Sequence, residues 1–179
     1  MTVLYSLSKA LKKSAKKLII RVIVFLLKQF LIETRQTLKI DITTGDFVTH
    51  KEIEYSFKLL FENRNINILA YNIETVLAEK FETAITRGVA NSRMRDFYDI
   101  YILTTTQDIN KEIFSEALKK TVEKRHTIQQ LSDINGVINN IFANAVMIDL
   151  WSRYQKKYSY ATDITWEMAI NAVKWLADI

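Results

Sequence analysis

No proline occurs anywhere in this chain, and glycine only three times. These two residues do most of the punctuating in a polypeptide, so their scarcity leaves long uninterrupted stretches for which helix is the natural outcome. Gly45 reads as a turn, Gly88 as the residue that ends a helix, and Gly136 as an isolated helix glycine. The same scarcity excludes a phosphate-cradling glycine loop: neither a P-loop nor a dinucleotide fingerprint is present. With no cysteine, disulfides and thiolate chemistry are excluded, which suits a reducing cytoplasm. His50 and His126 stand far apart in polar surroundings, which argues against a histidine-based metal site. A chain of 179 residues buries a sizeable core, as one domain or one domain with an appendage.

Charge is distributed unevenly. Nine of the 25 Lys and Arg residues fall in the first 40 positions, together with a single acid, Glu33. There KALKKSAKK runs into the apolar LIIRVIVFLLKQFLI of residues 18–32, interrupted by Arg21 and Lys28. A membrane-spanning helix takes about 20 largely apolar residues, so this run is short and too charged. An interrupted apolar core without a small-residue cleavage site also argues against a signal peptide. A basic amphipathic helix lying on a membrane surface is one remaining reading of residues 1–34.

From Thr37 the pattern alternates. Leu38, Ile40 and Ile42 interleave with Thr37, Lys39, Asp41 and Thr43, a strand with one buried face, closed by turn chemistry at Thr44, Gly45 and Asp46. Ile53, Tyr55, Phe57, Leu59 and Phe61 alternate again, Glu62, Asn63 and Arg64 turn, and Ile66 and Ile68 resume: a β-hairpin. A helix over 51–61 is the competing reading, because Ile53, Phe57 and Leu60 also fit a helical stripe.

Residues 72–103, NIETVLAEKFETAITRGVANSRMRDFYDIYIL, carry the densest signal. At 100° per residue, Ile73, Val76, Leu77, Phe81, Ala84 and Ile85 form one apolar arc, and Lys80 falls inside it. Desolvating an unpaired ammonium is costly, so an inward lysine needs a partner or a task. It can also snorkel outward. A second helix starting near Ser92 sets Asp96 and Asp99 three residues apart on its polar edge, with Met94, Phe97, Tyr98 and Tyr101 on the apolar side. The two acids read either as a solvated face holding Arg93 and Arg95 or, with the lysine, as a site for an anionic substrate such as a nucleotide.

Beyond Leu103 the chain reads as helical. Phe114, Ala117, Leu118 and Val122 form one stripe; Ile134 to Trp151 forms a longer one, started by Ser132; Trp166, Ile170 and Val173 form a last, capped by Asp163 or Thr165. Trp151, Tyr154, Lys156, Lys157, Tyr158 and Tyr160 interleave bases with aromatics, a pattern that closes a helical bundle or stacks on nucleic acid.

Three segments, LKIDITTGD (38–46), ETVLAEKFETAITRG (74–88) and NSRMRDFYDIY (91–101), resemble the AbiEii/AbiGii toxin family of nucleotidyltransferases. These are the toxin halves of abortive-infection toxin–antitoxin pairs. The resemblance implies an α+β fold: a partial nucleotidyltransferase-like mixed sheet followed by a C-terminal helical bundle. On that reading residues 1–34 are an atypical basic and apolar N-terminal helix, 35–103 the rest of the core and 104–179 the bundle. Lys80 matches the lysine of one family motif, where it contacts the triphosphate, and Asp96 the acid of the next, expected in the chemistry or in metal-linked positioning; Asp99, behind it, is the third catalytic candidate, expected more to hold the site together. Lys80, Arg95, Arg93 and Arg87 are candidates for nucleotide binding, and Asp41 matches a ligand of Mg²⁺. The implied reaction moves a nucleotide from an NTP to an RNA acceptor, tRNA being the expected class, against a cognate antitoxin that need not bind directly. The family's Gly-Ser followed by an Asp-x-Asp pair is absent, and the first aspartate of all is Asp41. Residues 1–34 therefore look foreign to the family, as in a truncated form, and an inactive remnant binding RNA or a membrane surface is the alternative.

Overall fold

The computed structural model describes residues 23–31, 34–42 and 48–179, with side chains from Val48 onward. The chain divides after Asp46 into two units. The first holds an antiparallel pair, β1 (Ile23–Leu31) and β2 (Thr34–Ile42), in register from Ile23 opposite Ile42 to Leu31 opposite Thr34. The strand expected from Thr37 is therefore present and begins earlier. The helix expected within residues 1–34 is corrected over 23–31. A short apolar run cannot be assigned to helix or strand by periodicity alone, and here a neighbouring strand satisfies its backbone groups. A boundary at residue 34 would split this hairpin. Residues 1–22 and the expected turn at 44–46 lie outside the described residues.

The second unit opens with the expected hairpin, β3 (Ile53–Lys58) and β4 (Asn65–Ala70). Tyr55 lies opposite Ile68 and Phe57 opposite Ile66, so the apolar alternation of both strands shares a face. β3 stops at Lys58, and Leu60 and Phe61 are exposed in the connection, which the Leu59 N–H closes onto the Arg64 carbonyl.

Six helices follow among the described residues: α1 (Ile73–Arg87), α2 (Met94–Thr106), α3 (Lys111–Arg125), α4 (Ile134–Ala143), α5 (Ala145–Lys157) and α6 (Trp166–Ala177). The Asn72 side chain caps α1 by accepting from the Thr75 N–H and donates to the Thr49 carbonyl, tying the segment before β3 to this helix. Leu77, Ala78, Phe81, Ala84 and Ile85 of α1 are buried, as the stripe requires. Phe81 meets Phe114 of α3 edge-on, and Phe97 of α2 meets Trp166 of α6. Trp151 and Trp166 donate their indole N–H groups to the carbonyls of Ile164 and Phe142, which satisfies both rings inside the core. Phe114, Ala117 and Val122 are buried as expected, and the Thr165 hydroxyl caps α6.

Two local expectations are corrected. The apolar stripe from Ile134 to Trp151 is not one helix. Asn144, in extended conformation, ends α4 and caps α5, its side chain accepting from the Val146 and Met147 N–H groups. Asp133, not Ser132, caps α4 and accepts from the Gly136 N–H. A Cβ at Gly136 would lie 2.1 Å from that carboxylate, so the glycine makes room for the cap. No described helix is long and apolar enough to cross a membrane.

Candidate active site

Lys80 sits midway along α1, where the helical period aims it toward α2. Its ammonium donates to Asp96 Oδ1 at 3.0 Å and to Asp99 Oδ2 at 2.7 Å. The lysine that the stripe turned inward is thus held between both acids. Asp96 is more buried than a polar edge suggests, with its side chain 5% exposed against 23% for Asp99. A second cation completes its surroundings: Arg93 Nε lies 3.1 Å from Asp96 Oδ2, and Arg95 Nε lies 3.8 Å from Asp99. Buried carboxylates persist when both oxygens have charged donors. The turn between the helices sets this up. Gly88 ends α1 at φ +52°, a conformation that favours glycine, and the buried Asn91 accepts the Arg93 N–H at 2.9 Å.

This cluster opens into a cavity of about 660 Å³, lined further by Arg153, Tyr154, Lys157 and Tyr158 of α5 and the residue after it. Five basic side chains face two carboxylates there, and both carboxylates are already paired. The remaining positive field suits a ligand carrying several negative charges. Tyr154 shapes the wall without acting as a base: burial, then the 3.0 Å hydrogen bond to the Tyr160 hydroxyl, push its phenol far above the ordinary value. Burial, followed by neighbouring Tyr160 and Asp99, likewise raises Tyr98.

The structure brings together Lys80, Asp96, Asp99, Arg93 and Arg95. It does not bring Arg87, which is exposed at the end of α1, two turns or about 10 Å beyond Lys80 along the helix. Asp41 lies in β2, paired with Val24, in the other unit and outside the described side chains. Among the described residues no three acids or histidines converge to hold a metal ion, and Asp96 and Asp99 are committed to Lys80. Those residues do not by themselves fit Mg²⁺. Arg153 is the contributor that sequence reasoning missed. The available signal was its spacing of four from Lys157, inside the stretch of alternating bases and aromatics.

No curated relative and no solved structure matches the chain. A family model does, the nucleotidyl transferase AbiEii toxin of type IV toxin–antitoxin systems, over residues 13–177. That span takes in residues 13–34 of the segment read as foreign to the family. With nearly the whole chain matched, this protein belongs to the AbiEii nucleotidyl transferase toxin family.

Proposed function

We propose that this protein transfers a nucleotide from an NTP to an RNA end in the cytoplasm, tRNA being the expected acceptor class, and that a cognate antitoxin counters it without necessarily binding it. The observation that carries this reading is Lys80, held between two acids at the edge of a strongly basic cavity. In the reaction, an acceptor hydroxyl oxygen bonds to the α-phosphorus of the NTP. The bond from that phosphorus to the bridging oxygen breaks, and pyrophosphate leaves with the electron pair. Lys80, a compact charge, contacts the triphosphate with help from Arg93 and Arg95. Lys80 and Arg95 both engage Oδ2 of Asp99, so the hydroxyl proton passes to its Oδ1, while Asp96 orients Lys80 and Arg93. Mg²⁺ with Asp41 as a ligand belongs to the expectation for the family.

The test incubates the full chain with Mg²⁺, total RNA and each α-³²P-labelled NTP in turn, and follows label entering RNA. The expected result is transfer by the wild type that falls at least about 100-fold in Lys80→Met. Transfer unaffected by that change would remove Lys80 from the site. No transfer with any NTP would leave the chain an inactive relative that binds RNA or a membrane surface.

A further inference from the structure

A second recess adjoins the reaction cavity. Ser152, Gln155, Lys156, Lys157, Ser159 and Thr162 line a space of about 500 Å³, and Lys157 belongs to both. Among the described residues no acid lines the second recess. The two together present six basic side chains against two acids, and those acids are spoken for by Lys80 and the arginines of α2. Along α5, Arg153 and Lys157 are one turn apart on one face. Among the described residues Arg153 pairs with Asp149, both exposed, a contact of little worth that a phosphate can displace. Where the helix ends, Tyr158 and Tyr160 stack on each other with ring centroids 5.4 Å apart, Tyr160 being half exposed.

A positive trough of hydroxyl, amide and lysine groups, leading to the reacting centre and edged by aromatic rings, has the character of a single-strand nucleic-acid track. We propose that residues 153–162 seat the single-stranded end of the RNA acceptor: Arg153, Lys156 and Lys157 hold its backbone phosphates, and Tyr158 and Tyr160 stack against a base. Lys157 stands at the junction, where the last phosphate of the acceptor meets the nucleotide-binding cavity. This inference rests on the nucleotide-transfer reading and names the place where its second substrate lies.

The experiment measures two bindings on the full-length protein. Fluorescence anisotropy follows a labelled single-stranded RNA 12-mer over a salt series; filter binding follows a labelled NTP. The variants are Lys156→Glu alone, Lys156→Glu with Lys157→Glu together, Tyr160→Ala, and Lys80→Met, each with a circular-dichroism melt. The double lysine variant is expected to weaken RNA at least about 10-fold and to lower the log–log salt slope by about 1.4, the share of two phosphate contacts to a single strand. In Lys156→Glu alone, which changes a residue of the second recess that does not line the nucleotide-binding cavity, NTP binding should stay within about two-fold of wild type. Tyr160→Ala should weaken RNA with the salt slope unchanged, because stacking releases no counterions. Lys80→Met should weaken NTP and leave RNA binding in place. RNA binding and salt slope unchanged in the double lysine variant would overturn the proposal, as would a duplex of the same sequence bound as tightly as the single strand. Failure of the wild type to bind any NTP, with RNA behaving as expected, would overturn the transfer reading while leaving the track.

Discussion

Lys80 shows how one residue serves both structure and site. From the sequence, its place in an apolar arc calls for a partner or a task. The geometry supplies the partner, because Lys80 keeps Asp96 and Asp99 from facing each other uncompensated. In Lys80→Met, Asp96 retains Arg93 alone and Asp99 only the more distant Arg95. We expect a loss of about 2 kcal/mol in urea denaturation, less than for a fully buried pair because solvent reaches Lys80 and Asp99. Adding Asp99→Asn should recover part of that loss, since one of the two opposing charges is gone. An unchanged denaturation midpoint for Lys80→Met would show that the ion pairs hold nothing together. The inward lysine was legible in the residue order. The burial of Asp96 was not, because an acid at the boundary of an apolar stripe is placed inside or outside by the neighbouring helix, which local sequence does not specify.

At the level of elements, what was legible was periodicity and what was not was where periodicity is interrupted. The alternation in β3 and β4 and the stripes of α1 and α3 appear where residue spacing put them. Nothing in the apolar spacing from Ile134 to Trp151 announces a break, yet Asn144 divides it, and α5 turns its Arg153–Lys157 face to the cavity. Asparagine side chains compete for backbone donors, so a mid-stripe Asn is a break signal of the weak kind that only packing resolves. The opposite failure occurred at β1, where an apolar run fits helix and strand alike until a partner strand is known. Because Asn144 caps two N–H groups, Asn144→Ala should cost about 1–2 kcal/mol, and Asn144→Asp should stay within about 0.5 kcal/mol of wild type. Equal denaturation midpoints for wild type and Asn144→Ala would mean that packing of Met147 and Trp151, not the cap, makes the break.

At the scale of the molecule, the buried core among the described residues draws on all six helices of the second unit, and its most aromatic side is also the wall of the cavity. Tyr98 of α2 lies against Tyr154 of α5 and against Tyr160, and Tyr154 contacts Tyr158 and Tyr160 in turn. This patch joins a helix carrying the paired acids to the helix carrying Arg153 and Lys157. Burial raises the Tyr98 and Tyr154 phenols, which means the folded chain holds protons that the unfolded chain gives up once pH passes the ordinary tyrosine value near 10. Stability contributed by these groups is therefore complete below about pH 10 and is lost as pH rises above it. Lysines titrate in the same range, so wild type is compared with Tyr160→Phe, which removes the hydroxyl partner of Tyr154. Urea midpoints between about pH 8 and pH 11 should fall more steeply in wild type than in Tyr160→Phe. Equal slopes in the two would mean that the wall of the cavity does not depend on neutral phenols.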